Sequence, residues 1–193
     1  MTLKYSLSNI LFSSKVVFLH VSFNIIVTHE HGLDNYKFVL SRIRRSGLNY
    51  VLVDRAPSII LLRVDNPYEA VRLLREHISD IQVLYRVIPV DAVVNPYVEE
   101  VAAKSTELAS QKIPLDKTFR VILHGRLYWA ETRLPAHTMD AIRVIAEKIN
   151  RPVSLKNPDY VVYIRSVKLY HRRRYATVTV TTPDMILSKS GKP

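Results

Sequence analysis

Apolar positions recur along this chain in two periods, and the switches between them mark out its elements. Val17, Leu19, Val21, Phe23, Ile25 and Val27 alternate with more polar positions, the period of a strand, and the pattern is clear from Phe23 to Thr28. Tyr36, Val39, Leu40 and Ile43 then fall at helical spacing, with Asp34 placed to cap the helix and Gly47 to end it. Leu48 to Val53 and Ser58 to Val64 read as two strands around an Asp54-Arg55-Ala56-Pro57 turn. Asn66-Pro67-Tyr68-Glu69 combines a capping side chain, a proline at the first helical position and an acidic first turn. The helix it opens carries its apolar stripe on Ala70, Val71, Leu74 and Ile78. Val83 to Val90 is a further strand, with Pro89 suggesting a sheet edge. The order β-α-β-β-α-β is that of a ferredoxin-like domain closing near Asp91.

The second half repeats neither the order nor the spacing. Asn95-Pro96 predicts a helix to about Gln111, stopped by Pro114, and Phe119 to Leu123 predicts a strand. Pro135 predicts the start of a helix with a stripe of Met139, Ile142, Ile145, Ala146 and Ile149. From Val153 to Thr182 the chain reads as a short strand, an Asn157-Pro158-Asp159 turn, a strand from Tyr160 to Val167, a cationic tip from Lys168 to Arg174, and a returning strand. The expected fold class is α+β, an α/β sandwich. Its divisions are an extension or added strand over 1–22, a ferredoxin-like domain over 23–91 and a second domain over 92–193.

Charge sharpens this picture. Across 193 residues, 28 Lys and Arg against 17 Asp and Glu give a formal net charge of +11, and no cysteine is present to form disulfides or thiolate metal sites. From Phe23 to Ala92 there are nine basic against eight acidic residues; from Val93 to Pro193 there are seventeen against nine. An excess on one half is the electrostatic footprint expected of a surface for a polyanion, either nucleic acid or an anionic membrane. The apolar run Ile10 to Val27 raises the membrane question, but Lys15, His20, Asn24 and several serines make it a poor spanning helix.

Leu155-Lys156-Asn157-Pro158-Asp159-Tyr160-Val161-Val162 resembles the L-x-N-P-D-x-x-V signature of the THUMP domain. Around it, Thr118-Phe119-Arg120-Val121 with the basic loop that follows is similar to that family's first core strand, and Ile142, Ile145, Ala146 and Ile149 sit where its central helix packs. Arg86-Val87-Ile88-Pro89-Val90 resembles the junction with its usual ferredoxin-like partner, so the resemblance spans Phe23 to Asp184. It implies RNA binding, chiefly of tRNA by its 3′ acceptor end. It also implies kinship with stand-alone THUMP proteins that partner an RNA cytidine acetyltransferase making N4-acetylcytidine. Another modifying enzyme, whether a methyltransferase, a thiolation enzyme or a deaminase, would use the same adaptor. The expected setting is cytoplasmic, with no membrane partner.

Candidate contacts are cations that hold phosphates and flat rings on which unpaired bases stack. They are His124, Arg126, Tyr128 and Arg133 in the loop after Phe119–Leu123, Lys156 and Asn157 at the turn, and Lys168, Tyr170, Arg172, Arg173 and Arg174 at the tip. Trp129 is divided between base stacking and core burial, and Pro158 and Asp159 are expected to serve the turn. The four glycines make neither a G-x-G-x-x-G turn nor a phosphate-cradling loop, and no zinc-deaminase signature is present. With Pro193 close behind the last strand, the expectation is a non-catalytic protein without cofactor or metal. The competing reading is an enzyme with an unrecognised site, resting on His124 and His137. His29-Glu30-His31 is the best metal candidate but lacks an evident third ligand.

Overall fold

A computed structural model describes residues 23–169 and 174–189, arranged as two sheets, each covered on one side by two helices. The first sheet holds β1 (Ile25–His29), β2 (Val51–Ala56), β3 (Ile59–Arg63) and β4 (Leu84–Pro89), with α1 (Leu33–Arg45) and α2 (Pro67–Ile78) as crossovers. Its order β2-β3-β1-β4, antiparallel throughout, is the ferredoxin-like arrangement expected from the element order. Helix α2 begins as predicted: the Asn66 side chain accepts from the backbone N–H groups of Tyr68 at 3.1 Å and Glu69 at 3.3 Å. Helix α1 differs, since Gly32 is its N-cap and Asp34 sits in its first turn, where a carboxylate complements the helix dipole. The β2–β3 turn is also shorter than expected. Strand pairing runs through Ala56, leaving Pro57 and Ser58 at the turn, with Ser58 at φ 66°.

The second sheet has the order β5-β8-β7-β6, from β5 (Ala92–Val94), β6 (Phe119–His124), β7 (Tyr160–Lys168) and β8 (Arg174–Thr181). Strands β6 and β7 run parallel, joined by the crossover through α4 (Thr138–Glu147), while α3 (Val98–Lys112) precedes β6 and packs beside α4. Helix α3 starts two residues after Pro96, with Tyr97 as N-cap; the Asn95 side chain instead bonds the Glu100 carboxylate. Helix α4 starts at Thr138 rather than at Pro135, which bridges Tyr128 in the preceding loop. The apolar stripe also differs from the expected one: Ala141 and Ile145 are buried, and Met139 faces solvent at 59% exposure. The expected short strand at Val153 is a single bridge to Phe119.

Burial follows from this layering. One cluster, including Val39, Ile43, Val71, Leu74 and Val87, lies between the first sheet and its helices, and a second, including Val101, Phe119, Ile145 and Val178, lies between the second sheet and its own. A third cluster joins Ile26, Leu61 and Ile88 to Val161, Tyr163 and Val167, so the two sheets pack face to face. Strands buried on both faces explain the unbroken apolar run Ile25-Ile26-Val27. After a short 3-10 turn at Pro183–Met185, β9 (Leu187–Ser188) pairs with β4, so the strand order of the first sheet continues to a fifth member drawn from beyond residue 92. It pairs only with Arg86 and Val87, leaving Pro89 past its reach and free of any need to donate on that side.

Candidate nucleic-acid interface

The parallel pairing of β6 and β7 decides which predicted residues meet. Phe119 stands opposite Tyr160 and His124 opposite Arg165, so both strands deliver their carboxyl ends to the same end of the sheet. Just past that end, β6 turns at Gly125, whose φ of 92° lies in the left-handed region, and an added Cβ would stand 2.9 Å from the Ser166 Cβ. The loop after β6 is therefore pressed against the base of the β7–β8 hairpin, which closes as Lys168 faces Arg174.

The loop is well anchored. Leu127 and Ala136 are buried and bond one another through the Ala136 N–H and the Leu127 carbonyl. The Tyr128 N–H donates to the Pro96 carbonyl and its carbonyl accepts from Val98, each at 2.9 Å, while the Ala130 N–H donates to the Glu99 carboxylate. Two arginines rest on aromatic faces here: Arg133 lies 4.4 Å from the Tyr97 ring centre and Arg174 5.5 Å from that of Tyr128. Arg126, Arg133, Lys168 and Arg174 are all exposed, and among the described residues none of them joins a salt bridge. Lys168 and Arg174 are directly opposed, an arrangement that costs stability between like charges and is relieved by a bound anion.

Several expectations change. Tyr128 is half-buried with Arg174 over its ring, and Trp129, also half-buried, packs against the core cluster below. Tyr97, which sequence reasoning missed, fixes Arg133; its place as a helix N-cap gives no signal of that role. Lys156 and Asn157 are exposed but precede β7, and the nine residues from Tyr160 to Lys168 span roughly 26 Å at about 3.3 Å per step. They sit at the other end of the sheet and do not share a patch with Arg126. Tyr170, Arg172 and Arg173 lie outside the described residues. The Asp159 carboxylate accepts from the Thr118 N–H at 2.9 Å and hydroxyl at 2.8 Å, tying the start of β7 to the start of β6. The expected turn role of Asp159 is thus met.

The histidines divide. The His124 ring stands 5.2 Å from that of Tyr163, and burial, with the charges of Arg86 and Arg165, pushes its pKa down. His137 is the exposed N-cap of α4. His29 is buried at the end of β1 with Nδ1 2.7 Å from the Glu30 carbonyl, whereas His31 is exposed beyond the strand, so the two do not share a strand face. Both line a cavity of about 150 Å³ with Tyr36, Arg55 and Ser58. Among the described residues no group of three or more His, Asp or Glu side chains is placed to hold a metal ion, and no helix is long and apolar enough to cross a membrane.

No family model and no curated protein matches the chain. Solved structures do. PH1313 from Pyrococcus horikoshii Ot3 superposes with a TM-score of 0.55 at 16% identity, over 83% of this chain and 55% of that one. SMU.472, a candidate methyltransferase solved with SAH, gives 0.50 at 15%, over 81% and 41%. A 4-thiouridine synthetase in complex with RNA and ATP gives 0.49 at 14%, over 83% and 42%. The chain thus spans roughly half the length of the structures it resembles. At these identities the likeness is one of fold, and that fold is the THUMP-like α+β sandwich expected from the Asn157-Pro158-Asp159 signature.

Proposed function

We propose that this chain is a non-catalytic RNA-binding adaptor that holds the 3′ acceptor end of tRNA and presents it to a separate modifying enzyme, with N4-acetylcytidine formation as the reaction served. The observation that carries the reading is the row of Arg126, Arg133, Lys168 and Arg174 at the carboxyl end of the second sheet, exposed and without carboxylate partners among the described residues. Arginines braced on tyrosine faces are preorganised, so less side-chain freedom is lost when they grip a phosphate in two places. Arg172 and Arg173 adjoin Arg174 in the sequence. A second reading, in which the adaptor serves a methyltransferase, is favoured by the likeness to SMU.472.

Electrophoretic binding over a salt series tests the proposal. The triple variant Arg126→Glu, Lys168→Glu, Arg174→Glu should bind tRNA at least tenfold more weakly, with a salt slope shallower by about two to three. Lys156→Glu, at the far end, should leave affinity within about twofold on the same reasoning. Equal affinity for tRNA and for tRNA trimmed of its single-stranded 3′ end would overturn the assignment to the acceptor end. Partner capture followed by nucleoside analysis then separates acetylation from methylation.

A further inference from the structure

Between the two sheets, beside the carboxyl ends of β6 and β7, lies a polar group that the exposed row does not include. Side chains alternate along a strand, so the residues sharing a face with the inter-sheet apolar cluster can be read off. Thr28 follows Ile26 on β1, Arg86 precedes Ile88 on β4, His124 follows Ile122 on β6, and Tyr163 and Arg165 lie between Val161 and Val167 on β7. Register brings them together: Thr28 pairs with Arg86 in one sheet and His124 with Arg165 in the other, with the Tyr163 ring against His124. Arg86 comes from the first sheet and Arg165 from the second, and both charges act on the His124 and Tyr163 rings.

The hydrogen-bonding there is incomplete. Thr28 Oγ1, Arg86 Nε, His124 Nε2, Tyr163 OH and Arg165 Nε are all sealed from solvent without a partner in ordinary hydrogen-bond geometry, and the Arg165 side chain lies beside the Tyr163 hydroxyl. Thr28 and Tyr163 are buried, while both arginines remain part-exposed, leaving a route in from the surface. Among the described residues neither arginine has a carboxylate within ion-pair distance. Two cations beside one pair of rings, with unsatisfied polar atoms around them, are costly when empty and complementary to a small oxyanion.

We propose that Arg86 and Arg165 clamp a phosphoryl group between the two sheets, with the Tyr163 and Thr28 hydroxyls and the His124 ring completing its hydrogen bonds. The group is supplied either by the RNA backbone or by a free phosphate ester. The RNA source rests on the proposed function; the phosphate site does not. Burial, with the charges of Arg86 and Arg165, holds His124 below its ordinary pKa, and an anion there offsets the two charges, so binding draws a proton toward that ring. Arg86, Arg165, Tyr163 and Thr28 are the polar groups facing it.

The test uses the full chain and inorganic phosphate, with sodium chloride matched for ionic strength. Phosphate should raise Tm and move the His124 imidazole resonances, and Arg165→Gln and Arg86→Gln should each abolish both effects. In phosphate-free buffer either variant should match or exceed the wild-type Tm, because it removes one of two unpaired like charges. Arg165→Lys, which keeps the charge but loses the fork, should retain a weakened response and covers the case in which glutamine prevents folding. The RNA arm measures tRNA affinity, where Arg165→Gln should cost roughly tenfold. A phosphate response with unchanged tRNA affinity supports the site with a free ester as its occupant and leaves the exposed row untouched. No response beyond that of chloride, or a response that survives in both glutamine variants, overturns the site.

Discussion

Gly125 shows how one residue fixes the candidate interface. Its left-handed φ is strained for any side chain, and the atom an added methyl would meet is the Ser166 Cβ on a neighbouring strand, which cannot swing away. Gly125→Ala should therefore destabilise by about 2 kcal/mol, combining the backbone penalty with the contact. Gly47, also at positive φ but with open space around it, isolates the backbone part, and Gly47→Ala should cost about 1 kcal/mol. Urea unfolding of the two variants checks the difference; equal losses would remove the close approach from the account. The sequence showed that a glycine followed the strand, but not what stood opposite it. That neighbour is forty-one positions away and is set only by the β6–β7 register.

At the scale of elements, the Asn157-Pro158-Asp159 turn works through Thr118. Hydrogen bonds from the Thr118 N–H and hydroxyl, with Lys117 nearby, hold the Asp159 carboxyl below its ordinary pKa of 3.8. Because the folded-state pKa is the lower one, the stabilisation is present above pH 3.8 and is lost as pH falls through the folded value. Asp159→Asn should lower Tm at neutral pH and flatten the acid limb of the stability profile below about pH 4, the two proteins converging there. A constant offset at every pH would sever the turn from this pairing. Helix α2 was legible because its cap is local, whereas the start of α4 was misplaced by three residues because Pro135 is held in a tertiary bridge to Tyr128. Strands β5 and β9, of three and two residues, are too short for alternation to register.

Across the whole molecule, the two sheets are fastened at Asp91 as well as by their apolar faces. Its carboxylate, with a side chain 8% exposed, accepts from Lys112 Nζ at 2.6 Å, the Tyr68 hydroxyl at 2.7 Å and the Val180 N–H at 2.8 Å. It thereby ties α2 beside the first sheet to α3 and β8 of the second. Burial and the neighbouring carboxylate push the Tyr68 hydroxyl pKa up, so it stays a donor throughout the accessible range. Asp91→Ala leaves a lysine, a hydroxyl and an N–H without their shared acceptor and should cost about 2–3 kcal/mol, read as a lower midpoint in urea. Two separate unfolding transitions in the variant, against one in the parent, would further show that this carboxylate couples the sheets.

The sequence by itself determined the two α+β halves, the helix stripes and the concentration of cations beyond residue 92, because period, caps and charge are local properties of the chain. It also supplied the Asn157-Pro158-Asp159 signature and all four cations of the exposed row. Tertiary structure decided which of those cations share a surface. Parallel pairing sends Arg126 and Lys168 to one end of the sheet and Lys156 to the other, a direction that no local pattern encodes. It likewise decided that Arg86 and Arg165, seventy-nine positions apart and each inconspicuous in its strand, come from different sheets to act on the same rings, His124 and Tyr163. Charges meet through the register and stacking of strands, and those depend on the whole fold.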